Sequence, residues 1–217
     1  MRYSMVLALA ALAMVSTLSP FAIAAQNNKV LMIVKENSEE AELMLTKEVG
    51  VMTDMLEQAG FEVVVANASG QPMVAGAATV KADLKLEDVD IDDYSGVIIP
   101  CMGVGLEAET PAPEAPKAAA IVKAAVAEGK PVAAQVASVL ILAEAGALSG
   151  KNYAFPSQEG AEKHSSLKSA KYGSNGIVQD GTIITSGICP LAARNRELKD
   201  GTPELTKAFI SELSSEK

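Results

Sequence analysis

Positive charge, histidine and cysteine are all in short supply in this chain. It carries 18 Lys and Arg against 27 Asp and Glu, one histidine, His164, and two cysteines, Cys101 and Cys189. The formal net charge of −9 argues against nucleic acid or an anionic membrane surface as partner, because both are held by clustered Lys and Arg. The lone His164 sits in a polar, Lys/Ser-rich stretch and reads as solvent-exposed, so no base is placed to activate a serine such as Ser138. No His, Cys and carboxylate spacing matches a metal site, and no glycine loop suits a phosphate; no metal or cofactor is expected. Internal repeats and a domain linker are also missing, which points to one domain.

What is present begins with an address. Arg2 precedes an uncharged apolar run, Met5–Leu18, and Ala22-Ile23-Ala24 fits small-x-small cleavage. Residues 1–24 therefore read as a secretory signal peptide, and residues 25–217 as a single domain, periplasmic or secreted and free of the membrane after cleavage. Export implies an oxidising compartment, where two cysteines become candidates for a disulfide and exposed thiols are at risk.

Strands and helices alternate along the rest. Asn28–Val34, Phe61–Ala66 and Gly96–Pro100 are compact apolar runs of the kind that fill a buried parallel sheet. A helical pattern spans about Leu43 to Gln58 and stops at Gly60. Its Met44, Met52 and Met55 have core spacing, while the acidic run Glu36–Glu42 before it reads as a solvated loop. Asn67–Lys85 suggests a hairpin or loop, and Leu106–Pro116 a stiff Pro-rich loop before a helix over Lys117–Ala127. Short strands are expected at Tyr153–Phe155 and Gly176–Val178 and a longer one at Thr182–Ser186. A closing helix covers Thr202–Leu213, with Thr202 as its N-cap. This alternation indicates βαβ units, an α/β fold with a mostly parallel sheet and helices on both faces.

The most telling stretch is Glu128–Lys151. Pro131 opens the strand Val132–Ala134, and within a few residues a helical pattern follows (Leu140, Ile141, Ala143, Leu148). A strand turning this sharply into a helix is the geometry of a nucleophile elbow. With KVLMIV, EVGVMTDMLEQAGFEVVVA, DYSGVIIP and DGTIITSGICP in this order, the chain resembles the ThiJ/PfpI superfamily from Lys29 to Leu213. The resemblance implies a flavodoxin-like sandwich whose site lies at the carboxyl ends of the strands, as in open α/β sheets generally.

The resemblance also shows what has changed. The family's elbow reads PVAAICHGP, and ungapped alignment puts Val136 at the cysteine and Ala137 at the adjacent histidine. Valine cannot be a nucleophile. A His-Pro that often follows the elbow helix is here Phe155-Pro156, and the Pro-Gly-Gly ending the third strand is here Pro100-Cys101-Met102-Gly103, which puts the oxyanion pocket in doubt. The family's first-helix glutamate, twelve residues before a glycine, corresponds to Glu48, with Glu39, Glu40 and Glu42 as other possibilities. Glu48, Val136, Ala137 and Phe155 then form a vestigial site, and Ser138 reads as an N-cap of the elbow helix.

Three functions stay open at this point. One is an exported pseudoenzyme binding a small ligand or a partner protein through Glu48, Cys101, Met102, Gln135 and Cys189. Another is a hydrolase or glyoxalase-like enzyme using Cys101 as thiol and Glu48 as base. The third is a chaperone-like stress protein. If Thr182–Ser186 is fifth in a 2-1-3-4-5 sheet, Cys101 and Cys189 flank the elbow strand from opposite sides and approach one another above it, where a disulfide would lid the site. Dimers are common in the resembling family, which leaves a homodimer open.

Overall fold

The computed structural model describes residues 28–36, 40–101 and 114–215. The predicted signal peptide, Glu39, Met102 and most of the Pro-rich loop lie outside the described residues. Seven strands form the main sheet: β1 (Lys29–Ile33), β2 (Glu62–Asn67), β5 (Leu84–Lys85), β6 (Gly96–Ile99), β7 (Val132–Gln135), β10 (Ile177–Asp180) and β11 (Ile183–Ser186). Their order is β10-β11-β7-β6-β1-β2-β5. All neighbours run parallel except the edge strand β10, which pairs antiparallel with β11. The core order is the expected 2-1-3-4-5, with the elbow strand β7 between β6 and β11.

Two faces follow from the alternation of side chains along each strand. Leu31 and Ile33 of β1, Val97 and Ile99 of β6, and Val132 and Ala134 of β7 point to one side. There they pack on helices α2 (Ala115–Ala127) and α3 (Val139–Glu144). Val30, Met32, Ile98, Ala133 and Ile184 point to the other. They meet the closing helix α6 (Thr202–Ser215) through Leu205, Phe209 and Leu213, and they meet the first helix, α1. Helix α1 runs through Ala41–Met44, a π-helical turn Leu45–Val49, and Gly50–Gln58, ending where Gly60 takes a φ of 90°. Its apolar stripe is Leu45, Val49, Met52 and Leu56, all buried. Gly96 is needed at the start of β6: a Cβ there would come within 2.8 Å of Leu213 and 2.9 Å of the Pro131 carbonyl.

The remaining elements are small. A hairpin, β3 (Met73–Ala75) with β4 (Ala78–Val80), occupies the expected excursion after β2. Strands β8 (Asn152–Ala154) and β9 (Lys171–Ser174) pair parallel in a separate two-stranded sheet around the short helix α4 (Gln158–Glu162). Helix α5 (Pro190–Arg196) follows β11 directly.

Three expectations are corrected. Helix α6 already includes Thr202, and the Gly201 carbonyl accepts from Leu205, so Thr202 lies inside the helix rather than capping it. The Thr202 hydroxyl and amide both donate to Asp200, at 2.8 and 3.0 Å, so Asp200 supplies the cap-like acceptor. Ser138 stands at the N-cap position of α3 but makes no side-chain cap hydrogen bond: its hydroxyl donates to the Pro100 carbonyl at 2.5 Å, tying the elbow to the end of β6. His164 is half-buried, its ring edge-on to Phe155 with centroids 5.6 Å apart, because the chain after α4 folds back over that ring.

Candidate functional site

Strands β6, β7 and β11 end together at one edge of the sheet. Ala134 lies opposite both Ile99 and Thr185, and Gln135 lies opposite Ser186. The residues that follow each end, Cys101, Val136 and Cys189, converge there with Met44 and Ala137 in one buried apolar cluster. Cys101, Val136 and Cys189 are 9 %, 4 % and 2 % exposed. The vestigial site is therefore filled by its own side chains.

Val136 keeps the elbow conformation without the elbow chemistry. Its φ is 51°, in the left-handed region that β-branched residues avoid. Such a backbone is held only when its surroundings over-determine it. Here the turn is clamped by Ser138 on the Pro100 carbonyl and, one residue earlier, by Gln135, whose Nε2 donates to the Ile188 carbonyl at 2.6 Å. Gln135 Nε2 also donates to the Thr202 hydroxyl at 3.2 Å, fixing the loop that carries Cys189.

Glu48 points to the end of β6, the strand beside the elbow strand, where Cys101 lies. It is fully buried within the π turn, beside the apolar stripe of α1. A carboxylate in that setting is the sequence signal that marks it, and π turns often accompany functional positions. Oε1 accepts the backbone N–H of Cys101 at 2.7 Å, and Oε2 has no partner. Burial pushes its carboxyl well above the ordinary range; the neighbouring Cys189 thiolate and, more weakly, Asp200 push the same way, and the Cys101 amide only partly opposes them. The other acids lie elsewhere. Glu40 pairs with Arg194 at 3.1 Å, Glu42 accepts the Ala77 amide at 3.1 Å, and Glu36 accepts the Ser69 amide at 2.8 Å. The acidic run is thus a set of tethers as well as a solvated loop.

The two cysteines meet as expected, 3.8 Å apart, both as free thiols. Their environments pull them in opposite directions. Cys189 is brought down to about 7, chiefly by the hydrogen bond it receives from the Cys101 thiol, helped by the amides of Ala192 and Leu191 and opposed by burial. Cys101 is pushed well up, first because it donates to Cys189 and then by burial, although the Ala137 amide donates to its sulfur. Sequence reasoning selected Cys101 as the thiol; in the structure the sulfur whose ionisation is favoured is Cys189. Asp200, also missed, has a carboxyl raised by burial and influences both Glu48 and Cys189. Its Asp-Gly-Thr-Pro context carries only the signal of a helix start.

A backbone amide at the site is already used: the N–H of Cys101, at the end of β6, serves Glu48. Phe155, at the family's histidine position, is fully buried and offers no base. Among the described residues no group of three or more His, Cys, Asp or Glu could hold a metal ion. Among the same residues no helix is long and apolar enough to cross a membrane.

A flavodoxin-like sheet bearing a strand–elbow–helix turn at its carboxyl edge defines the broad class. The model of the DJ-1/PfpI family matches residues 28–192, and the chain belongs to that family. A ThiJ/PfpI domain protein from Brachyspira murdochii superposes with a TM-score of 0.66 at 20 % identity, covering 88 % of this chain and 98 % of its own. Drosophila melanogaster DJ-1beta gives a TM-score of 0.57 at 24 % identity, covering 87 % and 96 %. A two-domain protein with DJ-1/ThiJ/PfpI-like and ferritin-like domains from Anabaena variabilis gives 0.62 at 24 % identity, covering 86 % of this chain and 50 % of its own. At these identities the likeness speaks for the fold alone. No curated protein matches the chain.

Proposed function

We propose that this chain is an exported DJ-1/PfpI-family pseudoenzyme whose remodelled elbow face serves binding, of a small ligand or a partner protein, in place of the family's thiol chemistry. The observation that carries this reading is the closed elbow itself. The Cys101 amide is bonded to Glu48, and a valine occupies the nucleophile's turn. An acyl-transfer or glyoxalase-like reaction would have no nucleophile at that turn and would have to break the Cys101–Glu48 bond before using that amide on an oxyanion. Glu48 Oε2 is buried and unpartnered inside the filled elbow, so binding would use the face over the elbow rather than this atom.

The alternative enzyme, with Cys101 as thiol and Glu48 as base, is disfavoured by the site's electrostatics. The surroundings favour the protonated form of both Cys101 and Glu48, the reverse of what that mechanism needs. The leader over residues 1–24 and the acidic surface suit a periplasmic or secreted location. The test is a turnover assay of the mature protein with peptide and methylglyoxal substrates, alongside Cys101→Ser. No thiol-dependent turnover is expected. Turnover that disappears in Cys101→Ser would overturn the reading.

A further inference from the structure

We propose that Cys189 and Cys101 form a reversible dithiol–disulfide couple acting on small hydroperoxides, with Cys189 as the attacking sulfur and Cys101 as the resolving one. The inference rests on the reading that Val136 has removed thiol chemistry from the elbow itself. It assigns a different chemistry to two residues brought there from neighbouring strands.

Geometry carries the pairing. The thiols stand 3.8 Å apart, so bonding requires the sulfurs to close by only about 1.8 Å toward the ordinary S–S length. Gln135 holds the loop before Cys189 and Glu48 holds the backbone of Cys101, so each partner is fixed from its own side. Ala137 and Val136 complete the wall around them. The ordering of roles follows from position: Cys189 stands at the start of helix α5, where the helix dipole favours a thiolate and its pKa is brought down to about 7, while Cys101 follows a strand and is pushed up. Access selects the oxidant. At 2 % and 9 % exposure the residues are too deep for the disulfide of another protein, so the oxidant that suits them is one of the smallest, a hydroperoxide.

The chemistry balances with that oxidant alone. The Cys189 thiolate attacks one peroxide oxygen; the S–O bond forms, the O–O bond breaks, and the departing alkoxide or hydroxide takes a proton from solvent. Cys189 is now a sulfenic acid. The Cys101 sulfur attacks it, the S–S bond forms, the S–O bond breaks, and the oxygen leaves as water with the Cys101 proton. Two thiols have lost two electrons to one hydroperoxide, and a dithiol reductant returns them. The nearby resolving thiol also keeps Cys189 from climbing to the irreversible acids.

The experiment treats native mature protein with hydrogen peroxide, removes the oxidant, alkylates in denaturant and maps the cysteine peptides by mass. The expected product has lost two hydrogens, links the Cys101 and Cys189 peptides, and returns to two free thiols with dithiothreitol. In Cys101→Ser, Cys189 should gain one oxygen and be captured by dimedone. In Cys189→Ser, Cys101 should react on the order of ten-fold more slowly or less. Two thiols still free in the treated wild type, or oxygen accumulating on either cysteine without a link, would overturn the couple. Equal rates in the two variants would overturn the assignment of Cys189. Because the readout is thiol state rather than substrate turnover, a failure here leaves the result of the turnover assay standing.

Discussion

Replacing Glu48 by glutamine should remove a pH dependence from the stability of this protein. The carboxyl is buried, and its pKa in the fold lies well above its value in the unfolded chain. For a raised carboxyl the folded state binds the proton more tightly, so its contribution is fully present at low pH. That contribution is lost as pH rises from the unfolded pKa toward the folded one. Within that window the loss is about 1.4 kcal/mol per pH unit. Glutamine keeps an oxygen for the Cys101 amide, the 2.7 Å bond that positions the end of β6, and cannot ionise. It also places an amide NH₂ where Oε2 had no partner, a fixed cost of about 1–3 kcal/mol. Urea unfolding of both proteins at a series of pH values from about 5 to 8 should therefore show Glu48→Gln the less stable at the acid end, with the difference shrinking or reversing as pH rises. Parallel stability curves would refute the argument, since they would mean that Glu48 ionises in the fold as readily as in the open chain.

Other consequences can be measured the same way. Val136→Gly should be no less stable than Val136→Ala, reversing the usual penalty of roughly 0.5–1 kcal/mol for glycine, because the φ of 51° suits glycine better; urea midpoints of the two variants decide it. Ser138→Ala should cost about 1–3 kcal/mol by leaving the buried Pro100 carbonyl without its hydroxyl donor, read from the chemical denaturation midpoint. Gly187→Ala should destabilise by roughly 1–3 kcal/mol or more, because the added Cβ would sit 2.5 Å from the Phe155 backbone. It should also displace the loop bearing Cys189, seen as a changed thiol titration.

The fold was legible because its signals are local. Compact apolar strands, an amphipathic α1 stopped by Gly60, and the abrupt β7-to-α3 turn each occupy one continuous stretch; the strand order came only with the family resemblance. Glu48 was legible through the resemblance, which sets a glutamate twelve residues before the glycine that is Gly60 here. The meeting of Cys101 with Cys189 followed from sheet order. The polarity of that meeting did not, because it depends on which sulfur receives the amides of Leu191 and Ala192 and which receives that of Ala137. Ser138 was misread for a similar reason: its partner, Pro100, is 38 residues away and competes successfully with the local cap. Thr202 was misread because Asp200 and Gln135 claim its hydroxyl. The π turn and the left-handed valine also escaped, being conformations imposed by packing against the propensity of the residues themselves.

The most direct test of the remodelled elbow is an ultraviolet titration of thiolate absorbance on reduced native protein, compared with Cys101→Ser and Cys189→Ser. This readout needs no reagent to reach the buried sulfurs. One thiolate should appear with a midpoint near 7, vanish in Cys189→Ser, and move to higher pH in Cys101→Ser as the donated hydrogen bond is lost. A neutral-pH thiolate that persists in Cys189→Ser and vanishes in Cys101→Ser would place the reactive sulfur on Cys101 and contradict the account.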